Sequence, residues 1–175
     1  ETISTINWKE VQEAVAEKRV ILELTNDLAD ENQIIEAINS NITINGNGNK
    51  VIAGTILSNN TGGSYGVIIN GGLAAVNDID LETKGGGVAV SNGAKVTFNG
   101  NSLYVNTTNT AARYNFYVVG EGSELTINGA TFRNNSAAGS GFGGAFGAVP
   151  QGFGGGRLLP SRIGTRRGSG CFCPD

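Results

Sequence analysis

Asp78, Asp80 and Glu82 alternate with Ile79 and Leu81. In an extended strand, a period of two puts the three carboxylates on one face and the two apolar side chains on the other. Carboxylate oxygens in a row can hold a hard cation, so these three residues are the candidate site for a weakly bound Ca2+. Lys84, Lys95, Arg113 and Arg133 are the cations nearby in the repeat. For one of them to act as a general base, burial or neighbours would have to lower its pKa. A solvated acidic stripe is the plain alternative. The chain has no His, which removes the usual general base, the usual zinc ligand and the Ser-His triad together. Cys171 and Cys173 are too close for a relaxed disulfide, and two Cys alone make no zinc site.

A second group of residues suggests binding rather than catalysis. Two polar insertions run over Leu57 to Tyr65 and Asn106 to Tyr114. Each ends in a Tyr placed four residues before a strand centre, Tyr65 before Ile69 and Tyr114 before Val118. Gly86 holds that place in the shorter copy between them. Insertions of this sort form loops on one face of a repeat protein, often the binding face. Tyr side chains beside amides and hydroxyls suit a carbohydrate or a peptide. The candidate ligand-binding residues are therefore Tyr65, Asn59, Asn60, Tyr114, Asn109 and Arg113. The alternative is that long loops persist because they cost little.

The elements that must position these residues come from a repeat. Ala74-Ala75-Val76-Asn77, Val96-Thr97-Phe98-Asn99 and Leu125-Thr126-Ile127-Asn128 overlay one another, and four residues after each Asn stands Leu81, Leu103 or Phe132. Ile42-Thr43-Ile44-Asn45 is an earlier copy. A second series reads Val67-Ile68-Ile69, Val88-Ala89-Val90 and Phe116-Tyr117-Val118. Phe98 follows Val76 by 22 residues and Val90 follows Ile69 by 21. A period of this size, punctuated by six Asn-Gly pairs, predicts parallel strands stacked as a β-solenoid of about four to five coils. In such a stack Asn45, Asn77, Asn99 and Asn128 could share amide hydrogen bonds as a ladder. Alternatively, each Asn merely tolerates its own turn. Residues 7–19 read as an amphipathic helix with Asn7 as N-cap and Trp8, Val11, Ala14 and Val15 on one face. A helix of this kind would cover the open first coil.

The period stops at about residue 135. Residues 1–135 are predicted to be one repeat domain with its N-terminal cap helix. Residues 136–175 hold all three Pro, the Gly-rich run from Gly139 to Gly156, and Arg157, Arg162, Arg166 and Arg167 against a single Asp175. That composition buries little. Three readings of the tail stay open: a disordered extension, a non-native C-terminus, and a cap or assembly segment. The net charge of -3 gives no electrostatic case for nucleic acid. No apolar run is long enough to span a membrane.

Trp8-Lys9-Glu10-Val11 with Ala14-Val15, then Val20 to Leu28, then Asn41-Ile42-Thr43-Ile44-Asn45-Gly46-Asn47-Gly48-Asn49 form an ordered set. It resembles the opening of pectate-lyase-like adhesive domains, and the resemblance covers about residues 5–135. It implies an all-β, single-stranded right-handed parallel β-helix of bacterial or archaeal surface proteins. It also implies an extracellular or cell-surface location and a role in adhesion or cell-envelope structure, and it supplies no catalytic residue. The leading expectation is a non-enzymatic module that contacts a glycan or a host or cell-envelope surface through its Tyr-bearing loops, with no cofactor. The second is a structural module that self-associates end to end through an exposed edge. The third is a Ca2+-dependent polysaccharide lyase, since lyases of this fold use clustered carboxylates and an Arg or Lys base.

Overall fold

In a computed structural model the chain is described over residues 1–5, 7–29, 32–54, 65–106 and 114–135, with the backbone of 146–148 and 157–159. Fourteen strands and one short helix are present among these residues. They are β1 (Thr2–Thr5), α1 (Trp8–Ala16), β2 (Arg19–Leu24), β3 (Ile35–Asn45), β4 (Lys50–Ala53), β5 (Val67–Asn77), β6 (Asp80–Thr83), β7 (Val88–Ser91) and β8 (Lys95–Asn99). Then follow β9 (Ser102–Val105), β10 (Phe116–Val118), β11 (Glu124–Asn128), β12 (Thr131–Asn134), β13 (Phe146–Ala148) and β14 (Arg157–Leu159).

All strand pairings are parallel. They form two sheets. The larger has ten strands: β1, β2, β3, β5, β7, β10 and β13 follow one another, while β8 pairs with β5 and β11, and β11 with β14. The smaller has four, in the order β4, β6, β9, β12. The register is that of the sequence repeat: Val76 faces Phe98, Ile69 faces Val90, and Leu81 faces Leu103.

This arrangement corrects the expected architecture. The single-stranded right-handed parallel β-helix with a capping helix is not what the structure shows; the strands lie in two separate open parallel sheets accompanied by one short helix. The physical reason lies in what a period can specify. A spacing of about 22 residues makes neighbouring strands parallel and sets their register. It says nothing about whether the sheets close on one another, which depends on the geometry of the turns. Those turns are sharp. Asn39, Asn47, Asp78 and Asn92 take left-handed backbone conformations, as do Gly71 and Gly72, and Asn and Gly reach these at least cost. Gly72 sits where an added Cβ would strike the Ser40 backbone, so the two long strands β3 and β5 approach closely at their bend.

Alternation puts one face of each sheet into a common core. Leu22, Ile44, Val76 and Phe98 are buried in one file, Ile35, Val67, Val88 and Phe116 in another, and Val51, Leu81 and Leu103 in the small sheet. Phe116 meets Phe98 and Phe132 edge to face, at 5.3 and 5.9 Å between centroids. The helix is shorter than the 7–19 expected, and it buries Trp8, Val11, Ala14 and Val15. The Asn7 carboxamide oxygen accepts from the Glu10 amide at 2.9 Å. Trp8 Nε1 donates to the Ala29 carbonyl, and Gln12 Nε2 donates to the Ile34 carbonyl at 2.6 Å. These two bonds pin the helix to the segment leading into β3.

Candidate functional site

Sheet neighbours put Tyr65, Tyr114 and Tyr117 on one outward face. Phe116 and Val118 point into the core, so alternation turns Tyr117 outward between them. Tyr114 stands just before β10. Its backbone carbonyl accepts from Gly87 at 2.9 Å, and the carbonyl of Asn115 accepts from Val88 at 2.7 Å. Buried Asn115 also donates its carboxamide to the Arg133 carbonyl at 2.7 Å, tying the start of β10 to β12. Tyr65 stands just before β5, anchored by Gly66 donating to the Gly86 carbonyl at 2.9 Å.

The rings come together through Tyr117. Its centroid is 5.9 Å from that of Tyr65, with planes 21° apart, and 5.9 Å from that of Tyr114, with planes 11° apart. Near-parallel rings at this separation are in the range of offset stacking. All three are half-buried. Removal of the Tyr114 phenol from water raises its pKa above the usual value, and the neighbouring Tyr117 adds to the effect. Gly86 makes the arrangement possible: a Cβ there would clash with the Tyr65 ring. The sequence spacing had paired Tyr65 and Tyr114 with Gly86 but missed Tyr117. The signal for it was the alternation in Phe116-Tyr117-Val118. Asn59, Asn60, Asn109 and Arg113 lie outside the described residues.

Asp78 and Asp80 are exposed and Glu82 is half-buried, while Ile79 and Leu81 between them are buried. Asp78 adopts φ +49 in the turn after β5, and the strand itself begins at Asp80. Asp80 and Glu82 share the outer face of the small sheet, with Leu81 buried between them, and each has its own partner. Ser102 Oγ donates to Asp80 at 2.6 Å. Asn106 Nδ2 donates to Glu82 at 2.7 Å and Lys50 pairs with it at 3.1 Å. The Asn106 bond leads in holding the Glu82 pKa below the usual range, with Lys50 assisting against partial burial. Among the described residues no three carboxylate or thiol side chains converge into a group that could hold a metal. Two of the nearby cations are also engaged: Lys95 pairs with Glu124 at 2.7 Å, and the Arg133 guanidinium lies 4.2 Å from the centre of the Tyr104 ring.

A third feature runs along the large sheet. Asn77 donates its amide to Asn45 at 2.9 Å, Asn99 to Asn77 at 2.8 Å, and Asn128 to Asn99 at 2.8 Å. Asn45 in turn donates to the Glu23 carboxylate at 2.5 Å. The four Asn form a ladder, with Glu23 as an additional member at its N-terminal end.

Among the described residues no helix is long and apolar enough to cross a membrane. Compared with known proteins, the chain matches no family model, no curated protein and no solved structure.

Proposed function

We propose that the chain is a non-enzymatic, extracellular binding module for adhesion or cell-envelope interaction. The contact surface is the Tyr65–Tyr117–Tyr114 cluster. One observation carries the reading: tyrosines from two separate strand starts are gathered into one outward, half-exposed cluster. Large aromatic side chains with a polar tip are the residues that most often anchor contacts at a surface. The engaged state of Asp80, Glu82, Lys95 and Arg133 favours binding over turnover.

The test is retention of the intact protein on immobilised cell-envelope material, with and without Ca2+, while released products are measured. Retention without products, lost in Tyr117→Ala, is the expected result. Product release would move the function to the lyase reading, and equal retention of wild type and Tyr117→Ala would reject the cluster as the contact surface.

A further inference from the structure

We infer that Asn92-Gly93 is a site of self-modification, where the asparagine converts to aspartate and isoaspartate through a cyclic imide, and that the Ser123 hydroxyl is the catch that slows it. The chemistry is open in principle to any Asn-Gly pair. The glycine amide nitrogen attacks Cγ of the asparagine, and an N–C bond forms. The side-chain nitrogen leaves as ammonia, taking the proton that the glycine nitrogen gives up. Water then opens the five-membered ring at either carbonyl. One water is consumed and one ammonia released, with no oxidant or reductant. In a folded chain two things govern the rate. The carboxamide must be free to swing, and the glycine N–H must be free of its acceptor.

The Asn-Gly pairs of this chain differ in both respects. Gly46 donates to the Asn77 carbonyl at 2.7 Å, Gly48 to that of Asp78 at 2.8 Å and Gly100 to that of Asn128 at 2.8 Å. These acceptors are main-chain groups of the next layer and cannot rotate away. The carboxamides of the same pairs are held as well. Asn45 donates to Glu23, Asn47 to Glu23 and the Leu24 carbonyl, and Asn99 to Asn77. Asn70-Gly71 lies within β5, where the glycine is buried.

Asn92-Gly93 stands apart. Asn92 is exposed, and its carboxamide has no hydrogen-bond partner among the described residues. Both residues are left-handed, at φ 54 and 74, in a turn closed by Ala94 donating to the Ser91 carbonyl at 3.1 Å. The Gly93 N–H donates to a side chain, the Ser123 Oγ, at 3.0 Å. Ser123 is fully buried and donates in turn to the Val119 carbonyl at 2.8 Å. One hydroxyl in the layer above therefore restrains the nucleophile, while the carbon it would attack is unrestrained. Ser123 is a positioning residue here, acting only through the Gly93 amide.

The experiment is incubation of the full chain in mildly alkaline buffer, with the conversion at each Asn followed by peptide mapping and mass spectrometry. In the folded protein Asn92 is expected to convert ahead of Asn45, Asn47 and Asn99. In urea the four are expected to convert at similar rates, because the fold sets the order. Ser123→Ala is expected to speed Asn92 by about fivefold, the factor that loss of one ordinary hydrogen bond gives, and to leave the other three unchanged. Asn92→Gly, which suits the left-handed backbone, removes the early product. A lead by Asn45, Asn47 or Asn99 in the folded chain overturns the inference, and so does the same lead by Asn92 in urea. Ser123→Ala that leaves Asn92 unchanged, or that speeds all four sites alike, overturns the catch.

Discussion

Glu82 is the residue at which charge and structure are most closely tied. Its carboxylate accepts from Asn106 and pairs with Lys50 across neighbouring strands of the small sheet. Its pKa is lower in the folded chain than in the unfolded one, so the folded state prefers the ionised form. The stabilisation is present above the ordinary carboxylate range and fades as pH falls through that range toward the folded value. Thermal unfolding measured between neutral pH and acid should show a decline that is smaller in Glu82→Gln, and parallel curves for the two proteins would refute this account. Asn99 is the second residue with a clear expectation. It donates to Asn77 and accepts from Asn128, so Asn99→Ala removes two ladder bonds at once. The loss should be about 1–3 kcal/mol by chemical denaturation. Asn99→Asp should cost at least as much, because a carboxylate cannot donate to Asn77.

At the scale of single elements, two adjacent glycines give opposite expectations. A Cβ on Gly87 would collide with the Asn115 backbone carbonyl, which cannot rotate away, whereas at Gly86 it would meet a movable ring. Gly87→Ala should therefore destabilise the junction of β7 and β10 by about 1–3 kcal/mol, with Gly86→Ala close to wild type in a melting experiment. Phe98→Ala should cost about 3–5 kcal/mol, since Phe98 is fully buried against Phe116. Much of this was legible beforehand. The overlay of Val76 on Phe98 and Val90 on Ile69 foretold the register, and Trp8, Val11, Ala14 and Val15 foretold the buried face of α1. Tyr117 was passed over because it lay inside an apolar run and was read as part of the strand alone. The openness of the sheets could not be read from a period, since closure depends on turn angles that spacing does not encode.

At the scale of the whole molecule, the C-terminal part deserves its own expectation. Strands β13 and β14 come from the segment after residue 135 and pair with β10 and β11. They cover an edge of the large sheet next to the tyrosine cluster. A chain ending at Asn135 would leave β10 and β11 unpaired on that side, and unpaired parallel edges invite another strand. Light scattering should therefore show a mass that rises with concentration for the shortened chain and rises less for the full one. Equal masses for both would show that these two strands protect nothing.

The file that begins at Glu23 has a direction. A carboxylate can only accept, so every amide above it must donate toward the N-terminus and accept from the next layer. The order is that of a sentence with one permitted reading. A duplication that copies a whole layer adds one more word in the same grammar, and the file continues. A duplication that copies part of a layer puts a side chain without a donor or an acceptor into the line and breaks it. Over evolutionary time, therefore, this chain can lengthen or shorten in whole layers but has no easy path to any length in between.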